Sequence, residues 1–138
     1  MIQRIKSLIS LRDNRGMTLI EIMIVLAIIA ILGAIVVPRF MDMPQKARVT
    51  AAKNQIQNFS LAIEKYYFDT GRYPAEEEGL QVLKKEGYMK KIPKDPWGNP
   101  YHYRYPGEHN TDSYDLWSNG ADGQEGGEGF DADISNWE

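Results

Sequence analysis

Cysteine is absent from the 138 residues, and only two histidines occur. The first absence excludes disulfide staples and thiolate metal sites, leaving oxygen ligands for any bound ion. The second leaves little for acid–base catalysis. His102 sits in an alternating stretch and reads as a surface or edge-strand residue. No Ser/His/Asp or Cys/His set, phosphate-binding glycine loop or histidine cluster is visible. Lys and Arg are missing from the C-terminal quarter. From Tyr105 onward there are nine acids and no Lys or Arg, within a net charge of -3. That imbalance argues against a nucleic-acid partner and for solvent or a cation.

Charge of either sign is missing from Ile22–Val37. With Met17–Glu21 the run reaches a length of about 31 Å as a helix, which matches a bilayer core of roughly 30 Å. Ahead of it stand Arg4, Lys6, Arg12 and Arg15 against Asp13, a basic flank that reads as the cytoplasmic end. No small-residue cleavage site follows Val37, as an ordinary secretory signal would require. The small residue at the charged-to-apolar junction is Gly16. Cleavage there would remove the basic leader and create an α-amine at Met17.

One carboxylate, Glu21, lies near the start of the run, where an unpaired charge is costly. The spacing allows two readings. In one, Glu21 snorkels at the interface of an uncleaved signal anchor. In the other, it pairs with a Met17 amine, across one helical turn or in a staggered neighbouring copy. The residues Arg15-Gly16-Met17-Thr18-Leu19-Ile20-Glu21 resemble the class III signal of type IV pilins and pseudopilins. That resemblance implies a prepilin peptidase that cleaves after Gly16 and N-methylates Met17, and an assembly role for Glu21. Met17 stands where the family usually has Phe. Gly33 and Pro38 match the family's helix-weakening positions.

After Pro38, Val49, Ala52, Ile56, Phe59, Ile63 and Tyr66 form one stripe of an amphipathic helix. The expectation is one helix from about Thr18 to Thr70, bent near Pro38 and stopped at Gly71. The stripe packs on the head; a coiled-coil seam is the other reading. A short helix is predicted over 76–86, and a turn at Asp95–Pro100 whose Trp97 covers the core. Residues 101–105 and 114–118 alternate as strands joined by an eight-residue loop. The fold class is α+β: a long N-terminal helix on a small antiparallel sheet. Residues 1–16 are read as leader, 17–41 as transmembrane and filament-core helix, and 42–138 as a periplasmic head.

Residues 119–133 are too glycine-rich for helix or strand. Carboxylates on such a loop can converge on Ca²⁺, which accepts six to eight oxygens in flexible geometry. The EF-hand spacing is absent. On chemistry alone, a solvated acidic loop is an equal reading. Asp95-Pro96-Trp97-Gly98, Tyr105-Pro106-Gly107, Ser118 to Gly123 and Ala132-Asp133-Ile134 with Trp137 together resemble the major pseudopilin family of type II secretion systems, over nearly the whole chain. The resemblance implies a calcium loop with Asp122 as a side-chain ligand and Asn119 as a carbonyl ligand. Gly129 stands where some members have a ligand Asp, which leaves Glu128, Asp131 and Asp133 as candidates. It further implies a non-enzymatic subunit that polymerises with copies of itself into a helical periplasmic filament. The implied partners are minor pseudopilins, the prepilin peptidase, an inner-membrane assembly platform and, before assembly, membrane lipid. The filament would help export folded proteins across the outer membrane. The alternatives are a type IV or competence pilin, many of which carry a C-terminal disulfide, and a membrane-anchored periplasmic enzyme working through a carboxylate pair.

Overall fold

A computed structural model describes residues 16–138; the basic leader therefore lies, but for Gly16, outside the described residues. The chain divides into two units, with the break after Arg39.

Helix α1 spans Leu19–Met41 and buries none of its residues. Between Glu21 and Arg39 its side chains are apolar all round, so no face is marked for a core. It is long and apolar enough to cross a membrane.

Helix α2 spans Met43–Thr70. The expected single helix is thus interrupted at Asp42, four residues beyond Pro38. Pro38 itself lies inside α1. The sequence reading missed Pro44. Its ring cannot donate a helical hydrogen bond, and it stands in the first turn of α2, where that loss costs least. Gly71 ends α2 in the left-handed conformation, and its N–H donates to the Tyr67 carbonyl at 2.7 Å.

Ala52, Ile56, Phe59, Ile63 and Tyr66 of α2 are buried, as the stripe required, with Val49 packed beside them. They meet Leu80, Val82, Leu83, Tyr101, Tyr114, Leu116 and Ile134. Tyr101 sets its ring edge-on to Phe59 at 5.2 Å. Helix α3 is shorter than expected, Gln81–Lys85, because turns occupy residues 76–80.

The sheet has three antiparallel strands in the order β1 (His102–Arg104), β2 (Asp115–Ser118), β3 (Ile134–Ser135). His102 pairs with Trp117 and Arg104 with Asp115, so the expected hairpin is present. The third strand was not expected. It is two residues long and carries no alternation to read. The glycine-rich loop also holds one 3₁₀ turn, Gly129–Asp131, against the expectation of no helix there.

Candidate functional site

Two places carry candidate residues: the start of α1 and the loop before β3. At the first, the Thr18 N–H donates to Glu21 Oε2 at 2.7 Å, and the Glu21 N–H donates to Thr18 Oγ1 at 3.3 Å. This reciprocal pair is a capping box. A Thr three residues ahead of a Glu satisfies two of the N–H groups that a helix start leaves free, and the carboxylate lies at the positive end of the helix dipole. The Thr-x-x-Glu spacing was legible in the sequence and was missed. Glu21 thus has a partner in its own helix. Its carboxylate faces the end at which cleavage after Gly16 would create the Met17 amine.

At the second place, Asn119 does not offer its side chain freely. Its Oδ1 accepts from Trp117 Nε1 at 3.0 Å, and its amide reaches His102 Nε2 and the Gly123 carbonyl. Asp122 Oδ1 accepts the Gln124 N–H at 3.0 Å. Asp133 Oδ2 reaches across the loop to the Gly126 N–H at 3.0 Å, while its Oδ1 is buried with no partner. Glu128 and Asp131 are exposed, the first just ahead of the 3₁₀ turn and the second its last residue. Asp122, Glu128, Asp131 and Asp133 are not gathered into one cluster. Among the described residues no three His, Asp or Glu side chains converge as for a metal. The loop therefore offers scattered carboxylates and peptide carbonyls, a donor chemistry that suits calcium and no softer ion. Asp133 Oδ1 is its orphaned oxygen, and burying an acceptor without a partner is costly.

The loop is tightly closed. At Gly120, with φ +71°, a Cβ would stand 2.6 Å from the Ala132 carbonyl. Behind it runs a buried polar chain. The Gly120 N–H donates to Ser118 Oγ at 3.2 Å, and Ser118 Oγ donates to Asp95 Oδ2 at 2.7 Å. Asp95 Oδ1 accepts the N–H groups of Trp97 and Asn99, and Trp97 Nε1 donates to Gln45 Oε1 at 3.1 Å. The expected Trp97 turn is thus bonded both to the loop and to the first turns of α2.

Asp115, on β2, is a structural carboxylate that sequence reading did not single out. It is 2 % exposed and accepts the N–H groups of Glu108, His109 and Asn110 at 2.8–2.9 Å. Burial works to raise its pKa. The N–H bonds from His109 and Asn110, the His109 ring and the Glu108 N–H outweigh that and hold it below the usual carboxylate value. Gly107 is required beside it, since a Cβ there would stand 2.5 Å from Asp115 Oδ1.

This head matches known proteins. The family model for type II secretion system protein G matches residues 39–137, and that for the prokaryotic N-terminal methylation motif matches residues 11–37. The chain belongs to the type II secretion system protein G family. The core protein G of Pseudomonas aeruginosa is 46% identical over 92% of this chain and 97% of its own length. That of Vibrio cholerae is 40% identical over 92% and 94%. The crystal structure of the major pseudopilin from the type 2 secretion system of enterohaemorrhagic Escherichia coli is similar, with a TM-score of 0.60 and 29% identity over 70% of this chain and 88% of that one. This protein G family member is accordingly a structural, non-enzymatic pseudopilus subunit that assembles with other components of the secretion system. Its apolar helix is consistent with inner-membrane anchoring.

Proposed function

We propose that the chain is the major, self-polymerising subunit of the periplasmic pseudopilus. It enters the inner membrane with its basic leader in the cytoplasm and its head in the periplasm. The prepilin peptidase cuts after Gly16 and methylates Met17. The subunits then leave the lipid and stack helix on helix on the assembly platform, together with minor pseudopilins. The growing filament helps move folded proteins across the outer membrane.

The observation that carries this reading is the Glu21 capping box on a helix with no buried face. Before assembly, the carboxylate is bonded to its own helix end. In the filament it meets the Met17 amine of a neighbouring copy, and a buried pair of that kind sets the register of one subunit on the next. Head-to-tail contacts that do not close build filaments. The test is intact-mass analysis of the chain isolated from cells with the secretion system. The expected product starts at Met17 and carries one methyl group. A product that retains residues 1–16 would overturn the processing and the filament role together.

Calcium is part of the proposal. The carboxylates stand apart in this structure, so binding would have to draw together Asp133, through its unpaired Oδ1, Asp122 and the Asn119 carbonyl from the loop start, and Glu128 or Asp131 from the rim. Bound there, the ion would supply a fixed charge that orders the loop. A ligand at about a hundredfold its Kd, held by the folded state alone, adds about 2.7 kcal/mol of stability. The expected outcome is a melting temperature of the detergent-solubilised chain that rises with calcium, falls with chelator, and loses this response in Asp133→Asn. No response in the unaltered chain would remove calcium from the account.

A further inference from the structure

The polar chain behind the acidic loop joins parts of the head that are distant in sequence. It runs from Gly120 through Ser118 and Asp95 to Trp97, and ends on Gln45 in the first turn of α2. Ser118 is fully buried and Asp95 is 4% exposed. Ser118 Oγ both donates, to Asp95 Oδ2, and accepts, from the Gly120 N–H. Both oxygens of Asp95 are committed as well, since Oδ1 accepts the N–H groups of Trp97 and Asn99. Water cannot stand in for a partner lost at this depth. Each link is therefore either made or left as a costly unpaired group.

Both ends of the chain of bonds lie where the structure can change state. Gly120 stands at the neck of the acidic loop. A Cβ on it would meet the Ala132 carbonyl at 2.6 Å and the Asp131 carbonyl at 2.9 Å, and the next residue, Ala121, donates its N–H to the Phe130 carbonyl at 3.0 Å. Opening the loop must move this neck. Asn99 touches the loop a second time, since a Cβ on Gly123 would stand 2.9 Å from its Nδ2. At the other end, α2 starts at Met43 without a side-chain cap from Asp42. Its first N–H groups have no partner within the helix. Of residues 41–48, Gln45 is the one that is half-buried, and the others are exposed. The Trp97–Gln45 bond, at 3.1 Å, is thus the tie that holds this turn to the head.

We propose that these bonds form a relay that couples closure of the acidic loop to anchoring of the first turn of α2. A closed loop holds Ser118 and Asp95 in place, and Asp95 sets the turn that aims the Trp97 indole at Gln45. An open loop releases that turn of helix, next to the interruption at Asp42. Coupling of this kind is reciprocal, so a displacement of the turn loosens the loop in return. The relay is built from the head's own residues and holds whether or not calcium is the ion that orders the loop.

The test is hydrogen exchange, followed by mass spectrometry, on the full detergent-solubilised chain. Gly120→Ala perturbs the loop, because its Cβ meets backbone. Exchange should quicken in residues 119–132 and, through the relay, about tenfold in residues 46–50, the size expected when one buried polar group loses its partner. Residues 56–63, in the core, should keep their protection. Trp97→Phe keeps an aromatic ring and loses the indole N–H. In that background Gly120→Ala should still open the loop but add nothing at residues 46–50. From the opposite end, Gln45→Ala should quicken exchange in residues 119–123. Where Gly120→Ala strips protection from residues 56–63 as well, Ser118→Ala takes its place, since it cuts the relay at its middle and adds no atom. Unchanged exchange at residues 46–50, in Ser118→Ala or in a Gly120→Ala chain whose loop has opened, overturns the proposal. So does an equal added effect of Gly120→Ala with and without the Trp97 indole. No arm uses calcium, so failure of the calcium reading is a separate outcome.

Discussion

Two stretches of helix, joined in sequence, are built on opposite logic. Helix α1 buries none of its residues and has no polar face. Helix α2 buries five residues on one stripe and leaves most of the rest to solvent. The first is stable alone only in hydrocarbon or among copies of itself. The second is stabilised by its own head, through Phe59, Ile63 and the residues that meet them. Folding and assembly are thus assigned to different segments of one chain, and a substitution in one segment should leave the other property intact.

The comparison can be broken most forcefully at Phe59. Phe59→Ala should cost about 3–5 kcal/mol of head stability, measured by denaturant unfolding of the detergent-solubilised chain. The matched change Ile29→Ala in α1 should leave that stability unaltered. Equal losses would mean that the two helices are not built differently.

A smaller effect is expected at Asp115. Replacing it by Asn leaves N–H groups of residues 108–110 with a weaker acceptor, at a cost of about 1–3 kcal/mol. Its pKa is held down in the folded state, so its contribution is complete above the ordinary carboxylate pKa. It is lost as the pH falls through the lower folded value. The acid limb of the melting curve should accordingly flatten in Asp115→Asn.

The smallest effect is at the surface. Hydrogen bonding from Arg72, then from the Ala75 N–H, brings Glu78 down to about 2, with the guanidinium 2.9 Å away. The pair is exposed, and Arg72→Ala should lower the melting temperature only slightly. That difference should fade as the pH falls from about 4.5, the ordinary value, through about 2. A large effect at neutral pH would contradict the reading of this clip as peripheral.

Much of this was legible in the sequence, for identifiable reasons. The stripe from Val49 to Tyr66 announces its own face because helical period and burial coincide. The strands at 102–104 and 115–118 announce theirs by alternation. What was not legible depends on tertiary partners. Ile134–Ser135 is too short to show a period and is a strand only because β2 lies beside it. The roles of Asp95 and Asp115 arise from N–H groups that converge through turns. The break at Asp42 needed Pro44 to be weighed with Pro38. In the candidate sites, the run around Gly16 and Glu21 was readable, and so was the acidic loop. That Asp133 keeps the buried, unpaired oxygen follows only from the closed loop. The capping box is the exception: it is local, and its spacing alone would have revealed it.

The central claim is that Glu21 serves assembly and not the folding of the head. Its most direct test is the Glu21→Ala chain, followed in one preparation for sheared filament yield and for thermal unfolding of the head. The account predicts loss of filaments with an unchanged melting temperature. Filaments at the normal yield, or a head that melts earlier, would contradict it.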